Sequence, residues 1–219
     1  MKVINRFKTI ALIILISIFN SPLQAKSIDD ILKITGINEF IQNKGGFGTQ
    51  AVESPKQLNQ FGQLVGVWKT QQEMKNKKGE WVRGTEGYWI WKYALGGFMV
   101  QDLWYQSKDN LPSYLSKLNR EYLLTAHRIF DASNNKWNIA WMANSANEAP
   151  GQDFGVFEAI YKNKEIIMSS PNNSPQYGQQ RVVFSNIKNH TFKWRSEYSQ
   201  DNGVTWVTVM RVNAKRILD

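Results

Sequence analysis

The sequence has no cysteine among its 219 residues. This absence excludes disulfides, a thiol nucleophile, a thiolate metal site and a lipoprotein anchor on an N-terminal cysteine. Histidine is scarce, with two residues, and no cluster of histidine, aspartate and glutamate supplies the three or four ligands of a zinc site. We therefore expect no bound metal, and a fold that is stabilised by its apolar core alone.

The N-terminus has the pattern of a secretory signal peptide. Lys2, Arg6 and Lys8 form a basic region, residues 10–19 are apolar, and Ala25 ends a short segment with small residues. The apolar run is too short to span a membrane as a helix, and a polar segment follows it. We predict cleavage after Ala25 and export of a bacterial protein to the periplasm or beyond, with no transmembrane span after processing. The alternative is an N-terminal membrane anchor.

The mature chain is basic but mixed in charge. Removing three basic residues with the signal peptide leaves 24 basic and 18 acidic side chains, a net charge of +6. A nucleic-acid-binding protein concentrates its basic residues in a stripe. The sequence shows no such stripe, so we predict no nucleic-acid partner. The densest group, Lys75, Lys77 and Lys78, is interpreted as a solvated hairpin tip; the alternative is weak attraction to an anionic envelope surface.

Alternation of apolar and polar residues with a period of two runs through most of the chain from residue 58. In residues 191–198, Phe192 and Trp194 fall on one face and Lys193 and Arg195 on the other, as in a strand with one wet side. No helical pattern separates the strands, which indicates an antiparallel sheet. Aromatic residues make up 13% of the chain. One face of an open sheet cannot bury that many rings, so the composition favours a closed barrel.

The predicted fold is all-β: a closed antiparallel up-and-down barrel of about eight to ten strands with a short N-terminal helical segment. A capping box of Ser27 and Asp30 begins the helical segment, which is predicted over residues 27–42 with a kink at Gly36. The chain divides into a signal peptide (1–25), a helical extension and linker (26–57) and the barrel (58–219). Strands are predicted at 64–74, 81–93, 98–106, 121–130, 137–142, 154–161, 166–170, 181–184, 191–198 and 204–212.

Residues 199–206, SQDNGVTW, match the Asp-box pattern S-x-D-x-G-x-T-W. In such a turn the serine and aspartate side chains bond backbone groups, and the glycine supplies a positive φ. The motif resembles the hairpin repeat of sialidases and related propellers, in which it is a structural turn away from the active site. We therefore assign Asp201, Gly203 and Trp206 a structural role.

Gly66-Val67-Trp68 lies in the first predicted strand. It resembles the G-x-W motif that opens lipocalins and other calycins. The resemblance implies that Gly66 and Trp68 form the barrel base, with Arg211 or Arg216 of the last strand stacked on the indole. The wider pattern, L-x-G-x-W at the start and F-x-W followed by the Asp-box near the end, also resembles bacterial lipocalin-like families of unknown function. It implies a fold and no activity.

The leading functional hypothesis is that the barrel binds a small hydrophobic or amphiphilic molecule in its cavity. Trp89 and Trp91 share one face of the second strand, and Glu86 and Lys92 share the other; since charges prefer water, the tryptophans are predicted to point inward. Arg83 has the same parity as the tryptophans, so it is predicted to anchor the polar head of the ligand. The candidate ligand-binding residues are Arg83, Trp89, Trp91, Trp104, Trp141, Trp194 and Tyr198.

Two other classes of function are left open by the sequence. An enzyme that isomerises, hydrates or cyclises a lipophilic substrate would need an inward glutamate or histidine, and Glu86, His127 and Glu158 are the candidates. The third class is a structural or partner-binding envelope protein with a filled core. No catalytic motif is present, so we do not favour an enzyme. No cofactor is predicted: haem would need an inward His127, and the G-x-W-x-G-x-G motif of nitrobindin-like haem barrels is absent.

Overall fold

The structure is a computed structural model that describes residues 27–34, 47–76, 78–112, 115, 117–145, 153–171 and 178–218. Within these residues the chain forms two short α-helices and ten strands. The helices are α1 (Ile28–Ile34) and α2 (Asn59–Gly62), and single 3-10 turns cover Lys56–Leu58, Leu95–Gly97 and Lys108–Asn110. The predicted signal peptide and the second part of the predicted helical segment lie outside the described residues.

The strands agree in number and order with the alternating pattern. Their bounds are β1 Gly66–Lys75, β2 Trp81–Ala94, β3 Met99–Gln106, β4 Tyr122–Asp131, β5 Lys136–Ala143, β6 Phe154–Lys162, β7 Glu165–Ser169, β8 Gln179–Ser185, β9 Thr191–Ser199 and β10 Val207–Leu218. The last strand differs most from prediction. It starts three residues later because the Asp-box turn occupies its predicted beginning, and it runs six residues further.

Every strand pairs antiparallel with its neighbour in sequence, and β1 pairs with β10 to close the barrel. The predicted fold class is confirmed. The closing seam pairs Trp68 with Arg216 and Met74 with Met210. Short connections join the strands at one end of the barrel, which we call the lower end. The connections at the other, upper end include the long segments 107–121, 144–153 and 170–178.

The segment that leads into β1 fills the lower end of the barrel. Leu58, Phe61 and Leu64 are completely buried in the same cluster as Trp68. The Trp68 side chain is 0% exposed and donates from Nε1 to the Leu64 carbonyl at 2.7 Å. The Arg216 guanidinium lies 4.0 Å from its ring centroid and donates to the carbonyls of Val65 and Gln63. The predicted base is therefore present.

Arg216, and not Arg211, is the arginine of this base. Arg211 lies nearer the upper end of β10 on the outer face, where its Nε donates to Glu73 at 2.6 Å and its guanidinium stacks 4.2 Å from the Trp81 ring. The sequence left both arginines open as candidates, and Arg216 is the one at the base because β10 runs on to Leu218, which places Arg216 opposite Trp68.

The Asp-box forms a turn held by its own side chains. Asp201 accepts from the Thr205 N–H at 2.8 Å and the Thr205 hydroxyl at 2.6 Å, while the Ser199 hydroxyl accepts from the Gly203 N–H at 2.7 Å. The two bonds from Thr205, more than any other contact, lower the pKa of Asp201 to about 2. Gly203 has a φ of 85°, and Trp206 donates to its carbonyl at 3.0 Å. All these contacts are local to the turn.

Helix α1 packs on the outside of the barrel. The Ser27 hydroxyl accepts from the Asp30 N–H at 3.1 Å, and the Asp30 carboxylate accepts from the Ser27 N–H at 3.3 Å, which is the predicted capping box. Ile31 is buried against Val67 and Ile90, outward-facing residues of β1 and β2. Among the described residues, no helix is long and apolar enough to cross a membrane.

Candidate functional site

The inner face of β2 is the one predicted from alternation. Trp89 and Trp91 are buried in the central cluster, whereas Tyr88 and Ile90 pack with α1 on the outside. Glu86 and Lys92 share the outer face with them. The charged residues therefore identified the wet side of this strand correctly.

Arg83 lies on the outer surface, so the prediction that it points into the barrel is wrong. The pairing of β1 with β2 aligns Gln71 with Glu86 but Glu73 with Arg83, so β2 carries one extra residue at Gly84–Thr85. Such a bulge shifts the alternation by one position. The Arg83 side chain is 72% exposed and forms an ion pair with Glu86 at 2.6 Å. It cannot anchor a ligand inside the barrel.

The inward-facing indoles differ in burial with height. Trp68, Trp91 and Trp137, towards the lower end, are fully buried. Trp104, Trp141 and Trp194 are only partly buried and pack against the same cluster. Tyr198, further up on β9 and opposite Gln180 and Val207, is also partly buried. The lower half of the barrel is thus filled by side chains, while the upper half keeps inward rings accessible.

Trp89 lies at the boundary between the two halves. Its ring centroid is 5.3 Å from that of Phe184 and 5.7 Å from that of Phe192, which belong to the filled half. It is also 4.8 Å from Trp104 and 6.3 Å from Trp194, which belong to the accessible half. The Trp89 indole therefore forms the floor of the upper half.

A buried ion pair fixes this floor. One Asp102 carboxylate oxygen accepts from Trp89 Nε1 at 2.7 Å and from Arg128 Nη2 at 2.9 Å, and the other accepts from the Ala126 N–H at 2.8 Å. The Arg128 guanidinium stacks 4.4 Å from the Trp91 ring centroid and 4.9 Å from that of Phe61. Its Nε has no hydrogen-bond partner among the described residues. Among the described strands, Asp102 and Arg128 are the only charged residues on the inner face between the base and the mouth of the barrel.

A neutral polar cluster lines the inner face of β1 to β3 above the floor. The Thr85 hydroxyl donates to Gln72 Oε1 at 2.9 Å and accepts from Gln106 Nε2. Thr70 is also buried, and its hydroxyl has no hydrogen-bond partner in the part of the chain that the structure describes. These groups can bond neutral polar atoms, and they carry no charge.

The connection from β3 to β4 covers part of the upper end. Leu115, Leu118 and Tyr122 form a buried cluster that packs against Trp104 and Leu124. Apolar side chains thus close the mouth over β3 and β4, next to the accessible indoles.

The three candidates for an inward acid or base all lie outside the barrel. Glu86 is bonded to Lys69 at 3.1 Å and to Arg83; the hydrogen bond from Lys69, more than any other contact, lowers its pKa. Glu158 pairs with Lys136 at 2.6 Å. His127 shares the outer face of β4 with Ile129 and pairs across to Gln101, and burial lowers its pKa. An inward glutamate or histidine is therefore wrong for these positions, and His127 cannot be an axial haem ligand within the barrel.

Comparison with known proteins supports the fold. No family model matches the chain, and no curated protein matches it. Among solved structures, the crystal structure of Rv2717c from M. tuberculosis aligns over 75% of this chain and 99% of its own with a TM-score of 0.50 and 10% identity. A redesigned β-barrel aligns over 71% and 93% (TM-score 0.34, 8% identity). The S-type phycobiliprotein lyase CPES from Guillardia theta aligns over 72% and 90% (TM-score 0.32, 10% identity).

Proposed function

We propose that the protein binds a small hydrophobic or amphiphilic molecule in the upper half of its barrel. The observation that carries this proposal is the contrast between fully buried indoles below Trp89 and partly exposed inward indoles above it. An inward ring that retains accessible surface borders space that a side chain does not fill. Apolar pockets with a few placed polar groups are the usual sites for small molecules.

The charge balance on the inner face of the barrel favours a ligand whose buried part is uncharged. Asp102 neutralises Arg128 at 2.9 Å, and Arg83 lies outside. A charged head would therefore have no counter-charge inside and would stay at the mouth, where water solvates it. The apolar part of the ligand would lie between Trp104, Trp141 and Trp194.

A titration with the neutral fluorescent lipophile N-phenyl-1-naphthylamine tests the proposal by energy transfer from tryptophan to the probe. Trp141→Leu removes a wall of the site and is expected to weaken binding about fivefold, since an aromatic contact contributes roughly 1 kcal/mol beyond its area. Trp206→Leu, in the outer hairpin, is the matched control and leaves the affinity unchanged. Equal losses in both variants, or no saturable transfer in the native protein, would contradict the proposal.

Arg83→Gln tests whether a charged ligand head stays at the mouth of the barrel or is anchored by Arg83. Since this side chain is exposed and paired with Glu86, its replacement is expected to leave the affinity for both the neutral probe and a long-chain carboxylate unchanged. A selective loss of carboxylate binding would restore the anchoring role that the sequence suggested.

We further propose a calycin-like barrel that is exported. The order of parts supports the first point: G-x-W in β1, an up-and-down meander, and an arginine of the last strand stacked on Trp68. The basic, apolar and small-residue regions of the N-terminus support the second. Intact mass of the protein from the periplasm or medium is expected to lack residues 1–25; their retention on a membrane-bound product would contradict export.

A further inference from the structure

The outer wall formed by β9, β10 and β1 differs in charge balance between its upper and lower parts. In the upper part, Arg211 pairs with Glu73 at 2.6 Å and Arg195 with Glu197 at 2.9 Å, and Glu197 also pairs with Arg181 of the neighbouring strand β8 at 2.6 Å. The lower part carries three exposed lysines, Lys69, Lys193 and Lys215. Of these, Lys69 alone has an acidic partner among the described residues, Glu86 at 3.1 Å.

The three lysines are close neighbours on one surface. Lys69 of β1 lies directly opposite Lys215 of β10, and Lys193 of β9 lies opposite Asn213, two residues before Lys215. Directly opposed side chains on an antiparallel pair have Cβ atoms about 5 Å apart, and like charges in that position are destabilising. The opposed lysines therefore do not stabilise the fold, and a bound external anion would reduce the repulsion between them.

The same surface has a depression and exposed aliphatic side chains. The depression has a volume of about 470 Å³ and is lined by Lys69, Gln71, Thr191, Asn213 and Lys215, together with Thr70, Glu86, Ala214 and Ile217. Ile217 is 36% exposed and the adjacent Leu218 41% exposed. We define the basic wall as Lys69, Lys193, Lys215, Ile217 and Leu218.

We propose that the basic wall docks on an anionic phospholipid surface. Charge complementarity supports this occupant: ammonium groups on three adjacent strands can meet the phosphates of several lipids at once, and the depression accepts a head group. The two aliphatic side chains beside the lysines favour a lipid surface over a soluble anion, since they gain from contact with the acyl boundary. This docking surface is independent of the ligand site inside the barrel.

Vesicle co-sedimentation of the full-length chain tests the proposal. Vesicles of equal parts phosphatidylglycerol and phosphatidylcholine are compared with phosphatidylcholine alone, and Lys193→Gln/Lys215→Gln is compared with Lys108→Gln/Lys162→Gln. The control pair is also exposed and removes the same charge, so any contribution of the N-terminal apolar run cancels between the two variants. Each lysine near an anionic membrane contributes about 1 kcal/mol, so the first variant is expected to partition about 30-fold less into the anionic vesicles.

The control variant is expected to partition like the native protein, and binding is expected to weaken as salt is raised. Equal losses in the two variants would mean that net charge alone acts, which overturns the basic wall as the site. Indifference of the native protein to lipid charge would overturn it as well. Displacement from vesicles by inorganic phosphate at unchanged ionic strength would assign the surface to a free anion instead.

Discussion

Replacing Arg128 by methionine is expected to destabilise the protein, and a second substitution at Asp102 is expected to restore part of the loss. Both side chains are almost fully buried, 3% and 1% exposed. Arg128→Met leaves the Asp102 carboxylate in the core without its counter-charge, which typically costs about 3–5 kcal/mol. The methionine side chain fills most of the space that Arg128 occupies against Trp91 and Phe61. The loss of stability therefore arises mainly from the uncompensated charge of Asp102.

Asp102→Asn added to Arg128→Met removes that buried charge. An amide oxygen still accepts one of the two remaining hydrogen bonds, from Trp89 Nε1 or from the Ala126 N–H, and the unpaired donor costs about 1–3 kcal/mol. The double variant is therefore expected to be more stable than Arg128→Met alone by roughly 2 kcal/mol. The rescue by a second substitution in the same core distinguishes a compensated charge from simple loss of packing.

Urea unfolding followed by tryptophan fluorescence at neutral pH measures the free energy of unfolding of the single and of the double variant. The Lys136–Glu158 pair on the outer face is the matched control, since it has a similar 2.6 Å contact but a glutamate that is 53% exposed. Lys136→Met is expected to cost less than about 1 kcal/mol, and Glu158→Gln to add no rescue. The reasoning is refuted if Arg128→Met costs no more than Lys136→Met, or if Asp102→Asn deepens the loss.

Two further predictions concern the ends of the barrel. Trp68→Ala is expected to lower the free energy of unfolding by about 3–5 kcal/mol, as for other buried aromatics, because it removes the ring on which the Arg216 guanidinium stacks. A chemical denaturation curve close to that of the native protein would contradict the base described above. Asp201→Asn is expected to lower the melting temperature above pH 3.8, where the bonded carboxylate is charged in both states, and to lose this effect as the pH falls towards about 2, the pKa in the folded protein. A melting-temperature difference that does not shrink over that range would show that the carboxylate is not the stabilising group, and ligand affinity at neutral pH is expected to stay unchanged.

The alternation of apolar and polar residues predicted most of the barrel because the outer face of each strand contacts solvent. On β9, Lys193 and Arg195 mark the outer positions and Phe192 and Trp194 the inner ones, so the face of each residue follows directly from the residue types. The closing pair, β1 with β10, follows from the same composition because an open sheet would leave many rings exposed. The exact end of β10 did not follow, since its last residues lack a strong aromatic pattern.

The candidate site was harder to predict for two physical reasons. The bulge at Gly84–Thr85 reverses the face of Arg83 without changing the spacing of residue types, so parity counted from Trp89 fails there. The Asp102–Arg128 pair contradicts the rule that charges face water, because each compensates the other. A signal was present in the sequence: Asp102 shares parity with Trp104, and Arg128 with Ala126 and Phe130, so both lie on apolar faces of their strands.

The pairing of β1 with β10, which closes the barrel, is expected to form late in folding. Residues 67–74 find their second hydrogen-bonded neighbour in residues 210–218, about the largest sequence separation that the strands offer, and pairings of this kind slow folding because a long loop must close first. Before β10 arrives, β1 presents an unpaired edge and Trp68 lacks the cation that covers it. A chain whose last strand has not yet docked would therefore hold nine strands without a closed core, and its sheet edge would be exposed to aggregation until the final hairpin docks.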